Sequence, residues 1–142
     1  MLKVVIDASI LVKWFVEEEN YENALKIRDK YVEGEIDIIA PELITFEVLN
    51  ALYYKKLFTL LELKEVTNAL DAFSFKLFSL KGEYAKKTIE IAIENNITIY
   101  DSSYISLALI KNCKMYTADE QLIKKLDKKY LNFVRNIKEI DL

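Results

Sequence analysis

Four acidic side chains in this chain stand where carboxylates can do chemistry. Asp7 directly follows the apolar run LKVVI, and Asp119 lies one residue beyond CKMYT. Asp101 sits in TIYDSSYISLAL, between an apolar lead-in and a helix-like run, and Glu47 sits within PELITFEVLNAL. Carboxylates brought together repel one another unless a divalent ion neutralises them. A donor set made only of hard oxygens indicates Mg²⁺ or Mn²⁺ rather than zinc. One or two such ions activate water, polarise a phosphodiester and stabilise the departing oxygen. The rest of the composition removes the competing chemistries. With no histidine in the chain, imidazole acid–base catalysis, the Ser-His-Asp triad and the Cys-His pair are excluded within it. The single cysteine, Cys113, excludes an intramolecular disulfide and a Cys-rich zinc site, and reads as a packed side chain. The two glycines, Gly34 and Gly82, fall in neither a GxGxxG nor a GxxxxGK[ST] context, which argues against a glycine-built phosphate cradle.

Each acid also has a plainer explanation. Asp7, Asp101 and Asp119 each precede a helical pattern, and aspartate is among the best N-caps, accepting free backbone N–H groups at the positive end of the dipole. Glu47 has no such role. Spacings of three and four residues set it beside Leu43, Ile44, Asn50 and Ala51, at the edge of an apolar stripe. A partly buried carboxylate there needs a partner, either a lysine or arginine of the fold or a metal.

The elements that must position these acids follow from apolar periodicity. A chain of 142 residues, 52% hydrophobic and 30% charged, is expected to fold as one domain over 1–142. Strands are expected at LKVVI (2–6), DIIA (37–40), FKLFSL (75–80), CKMYT (113–117) and near NFV (132–134). Helices are expected over ASILVKWFVEE, over NYENALKIRDKYVEG with a stop at Gly34, and from Pro41 through PELITFEVLNALYYKKL. Thr59 with Glu62 forms a capping-box pattern ahead of LLELKEVTNALDAF. Further helices are expected over EYAKKTIEIAIENN, from Asp101 and from Asp119. Strands alternating with helices give a parallel sheet covered on both faces, with ligands bound beyond the carboxyl ends of the strands at a switch in strand order. No segment approaches the ~20 uncharged apolar residues of a membrane span, so a cytoplasmic location is expected. A net charge of −3 argues against non-specific coating of nucleic acid but leaves room for a local basic face.

Taken together, VVIDASILVKWF, PELITFEVLNAL, TIYDSSYISLAL and MYTADEQL resemble the four successive motifs of PIN domains, specifically of VapC-type toxins of toxin–antitoxin pairs. The resemblance spans nearly the whole chain. It implies a three-layer α/β/α fold, with a central parallel sheet of four to five short strands wrapped by about seven helices. It also implies a metal-dependent ribonuclease in which Asp7, Glu47, Asp101 and Asp119 form the acidic quartet that binds Mg²⁺ or Mn²⁺. Thr117 and Ser9 match the hydroxyl residues that support the cluster; a strand-ending β-branched residue and helix-terminus bonding are their alternative roles. Cleavage leaving a 3′-hydroxyl and a 5′-phosphate, a homodimer and a small antitoxin partner are further implications of the resemblance.

Other functions compete. A solitary PIN nuclease of RNA processing has the same fold without an antitoxin, and a catalytically silent binding module retains the fold alone. A signalling receiver needs an aspartate ending the third strand, where this chain has FSLKG, and a haloacid-dehalogenase-type phosphatase needs Asp-x-Asp where it has Asp7 and Ser9. Trp14 and Phe15 read as core packing, and KKLDKKY (124–130) reads as the wet face of a helix. The aromatics from Tyr53 to Phe78 fit either a core or a protein interface.

Overall fold

The apolar runs assemble into one sheet. In the computed structural model, which describes residues 1–142, the strands are β1 (Leu2–Ile6), β2 (Ile36–Pro41), β3 (Lys76–Phe78), β4 (Lys114–Thr117) and β5 (Val134–Asn136). They pair in the order β3-β2-β1-β4-β5, every ladder parallel. Seven helices complete the three-layer α/β/α fold: α1 (Ala8–Val12), α2 (Tyr21–Val32), α3 (Leu43–Lys55), α4 (Leu60–Phe73), α5 (Gly82–Asn95), α6 (Ile99–Ile110) and α7 (Glu120–Lys125). Because helices cover both faces, the central strands are apolar at successive positions rather than alternate ones. Val4, Val5 and Ile6 of β1, Ile38, Ile39 and Ala40 of β2, and Met115 and Tyr116 of β4 are all buried. No helix is long and apolar enough to cross a membrane.

The strand order places the acids. The chain steps outward from β1 to β2 to β3, then returns to lay β4 on the other side of β1. The connections leaving β1 and β4 therefore diverge at their carboxyl ends, which is where ligands bind in open parallel sheets. Asp7 and Asp119 lie on these two connections. The seam is closed by the Asp7 backbone N–H, which donates to the Tyr116 carbonyl at 3.3 Å.

Helix α6 is buried from Ser102 through Ala108, and its hydroxyls are satisfied locally. Ser102 Oγ donates to the Thr88 carbonyl at 2.6 Å, the hydroxyls of Thr88 and Ser106 meet at 2.5 Å, and Tyr84 Oη donates to the Ser103 carbonyl at 2.7 Å. These bonds stitch α6 to α5 and fix the helix that carries Asp101.

Several expected boundaries hold. Gly34, at φ +79°, supplies the left-handed turn beyond α2 that a side chain resists. The capping box before α4 is complete, with Glu62 N donating to Thr59 Oγ1 at 3.1 Å and Thr59 N donating to Glu62 Oε1 at 2.8 Å. Trp14 is buried and packs edge-on against Phe73 and Phe75, with centroids 5.0 and 5.7 Å away.

Other boundaries move. Pro41 does not open α3 but ends β2 opposite Phe78. Its missing N–H costs nothing there, because Glu42 N makes the bond to the Phe78 carbonyl at 3.0 Å. Helix α1 stops at Val12 rather than running through ASILVKWFVEE. Its last turn tightens into bonds from Lys13 to Ile10 and from Trp14 to Leu11, which brings Trp14 into the aromatic cluster. β3 is shorter than FKLFSL, and β5 begins at the last residue of NFV.

Candidate active site

Asp7 directly follows β1 and caps α1, its Oδ1 accepting from Ile10 N at 3.4 Å. Capping is the smaller part of its bonding. Ser9 Oγ donates to Oδ1 and Thr117 Oγ1 donates to Oδ2, each at 2.5 Å, so both carboxylate oxygens are held. The two hydroxyls are themselves anchored, Ser9 Oγ accepting from Ala118 N at 2.9 Å and Thr117 Oγ1 accepting from Asp119 N at 3.0 Å. The end of β1 is thus tied to the end of β4 through one carboxylate. Burial pushes the Asp7 carboxyl up to about 6, against the pull of these hydrogen bonds, and the charge of Asp101 adds to the rise.

Asp119 caps α7, accepting from Leu122 N at 3.0 Å. Asp101, in contrast, caps nothing. Helix α6 begins two residues before it, at Ile99, with Thr98 as the cap: Thr98 Oγ1 accepts from Asp101 N at 3.0 Å. The Asp101 carboxyl, half-buried in the first turn, is raised first by burial and then by the charge of Asp119, with Thr98 and Lys125 opposing.

Glu47 lies half-buried on α3, and its partner is a hydroxyl. Tyr104 Oη, on α6, donates to Glu47 Oε1 at 2.6 Å. The nearby lysines are engaged elsewhere: Lys55 pairs with Glu18 at 2.8 Å, and Lys56 lies 4.0 Å over the Tyr53 ring. Burial raises the Glu47 carboxyl, and Asp101 raises it further.

The four acids are coupled by charge in pairs: Asp101 opposes ionisation of Asp7 and Glu47, and its own ionisation is opposed by Asp119. The arrangement is loose, since no three acidic or cysteine side chains stand at metal-holding distance of a common point. The donor chemistry nevertheless fits a hard divalent cation, with oxygen ligands only and mutual repulsion that such an ion relieves. A cavity of about 600 Å³ lies elsewhere, at the opposite edge of the sheet among Leu2, Val4, Cys113 and Phe133. Asp7 is buried, whereas Phe46 and Tyr100, next in sequence to Glu47 and Asp101, are exposed.

Two residues of this arrangement were not marked by the spacing of acids alone. Thr98 is legible as the Thr of a Thr-x-x-Asp cap signature. Tyr104 stands three residues after Asp101, one helical turn along the same face.

The Asp7 environment gives a pH dependence. Its carboxyl titrates near 6 in the folded protein but near ~3.9 in an unfolded chain. Between those values the folded protein binds more protons than the unfolded chain, so stability is lost as pH rises through that window. At ~1.4 kcal/mol per unit the loss is of order 2–3 kcal/mol. In metal-free buffer the wild type is expected to melt several degrees lower at pH 7 than at pH 5, measured relative to Asp7→Asn, whose amide does not titrate. Thermal melts of the two proteins at both pH values check this.

Comparison with known proteins agrees with this architecture. A family model described as PIN domain matches residues 4–129. Ribonuclease VapC3 of Pyrobaculum aerophilum is 30% identical over 128 residues, covering 87% of this chain and 95% of its own length. Among solved structures, a toxin–antitoxin complex from Klebsiella pneumoniae superposes with a TM-score of 0.64 at 17% identity, over 96% of this chain and 99% of the other. DNA-bound VapBC from Salmonella typhimurium superposes with a TM-score of 0.67 at 11% identity, over 96% and 99%. At such identities the superpositions carry the fold alone.

Proposed function

The chain belongs to the PIN domain family as a VapC-like member, and from that premise we propose that it is a metal-dependent endoribonuclease, the toxin of a toxin–antitoxin pair. Asp7, Asp101 and Asp119 are the main ligands of Mg²⁺ or Mn²⁺ in this reading, and Glu47 completes the set. The observation that carries it is a pair of hydrogen-bonded links, from Asp7 through Thr117 to Asp119 N and from Glu47 through Tyr104 to the helix of Asp101, and the charge of Asp101 raises the carboxyls of Asp7 and Glu47 while Asp119 raises that of Asp101. When bound, the ion supplies activated water and charge stabilisation to phosphodiester hydrolysis.

The chain's own residues do the positioning. Ser9 and Thr117 hold the two oxygens of Asp7 in a fixed orientation, and the Thr98 cap fixes the first turn that presents Asp101. Asp119 is set by its bond to Leu122 N. Ribonuclease is the activity in the name of the VapC3 relative, and toxin–antitoxin complexes are among the structures sharing the fold. These support RNA as substrate and a small antitoxin as partner. A single domain over 1–142, a homodimer and action in the cytoplasm complete the proposal.

Expression in cells tests it. The intact chain is expected to arrest growth and to create new RNA ends bearing 5′-phosphates, and Asp101→Asn is expected to do neither at equal expression. Equal arrest by both forms, with no new ends, would replace cleavage by binding.

A further inference from the structure

We propose that Tyr104 is the positioning residue for Glu47, holding Oε1 of that carboxylate so that Oε2 is presented to the metal. The inference rests on the metal-dependent reading above. The bond of 2.6 Å joins residues 57 apart in sequence and ties α6 to α3. Its donor cannot drift, because Tyr104 is 1% exposed within the main core cluster and its helix is stitched to α5 by Ser102, Thr88 and Ser106. Asp101 lies one turn earlier on that helix, so a single rigid element carries one acid and the tether of another.

Partly buried Tyr31 and Tyr84 donate to backbone carbonyls, of Phe73 and Ser103, and buried Tyr116 and Tyr130 donate to Asp141 and Glu94; among these only Tyr104 donates to one of the four candidate acids. The choice of donor also has a chemical consequence. A lysine at this place would orient the carboxylate and neutralise it, competing with any cation. A tyrosine O–H fixes orientation while leaving the negative charge in place. A glutamate otherwise loses side-chain rotamer freedom when it engages a ligand, and the Tyr104 bond restricts that freedom beforehand. Hydrogen-bonding partners of ligating carboxylates typically govern metal affinity or activity by ~10–100-fold.

Magnesium titrations followed by thermal melting, together with steady-state cleavage of RNA, test the proposal on the wild type, Tyr104→Phe, Glu47→Gln and the double variant. Tyr104→Phe keeps the buried ring and is expected to melt near the wild type without metal. Its half-maximal Mg²⁺ concentration should rise ~10-fold, and kcat should fall while KM for RNA stays unchanged. On the Glu47→Gln background the same change should cause no further loss of affinity or cleavage. Matching Mg²⁺ titrations for the wild type and Tyr104→Phe would overturn the proposal, as would an equal further loss on the Glu47→Gln background. A wild type whose melting ignores Mg²⁺ would overturn the metal-dependent reading itself, and that result is visible before any variant is compared.

Discussion

Asp101→Asn is expected to lower RNA cleavage by more than ~100-fold, the upper end of what loss of a mere supporting partner costs a metal site. The reason is its place among the acids. Asp7, Glu47 and Asp119 are each coupled to Asp101 through charge, so the substitution removes the one carboxylate the others share. The replacement is nearly isosteric, and the helix start is unaffected because Thr98, not Asp101, supplies the cap. Loss of activity can then be read as loss of a ligand rather than of structure. Single-turnover cleavage of a defined RNA by equal amounts of folded protein measures it, and retention of wild-type rates would remove Asp101 from the site.

Chelation is expected to have an effect as large. In EDTA, cleavage should fall to background, and Mg²⁺ or Mn²⁺ should restore it. Ca²⁺ should restore little, because its larger and looser coordination suits in-line phosphoryl chemistry poorly. The expectation follows from the donor set: with no histidine in the chain, an imidazole cannot take over the activation of water. A rate-versus-metal titration checks it, and full activity in EDTA would end the metal hypothesis.

Much of the frame that carries the candidate site is legible in the sequence. Parallel topology follows from the alternation of strands and helices, and the carboxyl edge of β1 and β4 follows from topology, so Asp7 and Asp119 could be placed from LKVVI and CKMYT alone. Both are caps, and capping leaves a carboxylate able to serve as a proposed ligand as well. Asp101 was harder, because helical periodicity extends from it and conceals the two earlier residues of α6; the Thr98 signature resolves the start. Pro41 misleads for a similar reason. Its fixed φ suits the first turn of a helix and the last residue of a strand equally, and only the pairing with Phe78, remote in sequence, decides between them. The truncation of α1 also depends on a distant event, the packing of Trp14 against Phe73 and Phe75. Tyr104 illustrates the limit of spacing arguments. Its place one turn after Asp101 is local information, but its bond to Glu47 crosses from one helix to another and exists only in the folded chain.

The central claim is that the acids are held together in a state that a divalent ion relieves, and melting of the wild type and Asp101→Asn with and without Mg²⁺ tests it most directly. Asp101 is not the helix cap, and burial and repulsion by Asp119 outweigh the opposing pull of Thr98 and Lys125 on its charge, so its replacement removes more unfavourable than favourable interaction. Without metal, Asp101→Asn is therefore expected to melt at or above the wild type. With Mg²⁺ the wild type is expected to gain stability as RT ln(1 + [L]/Kd), ~2.7 kcal/mol at a hundredfold excess over Kd, and the variant to lose most of that gain. A metal-free Asp101→Asn that melts well below the wild type, beside a wild type indifferent to Mg²⁺, would contradict the account.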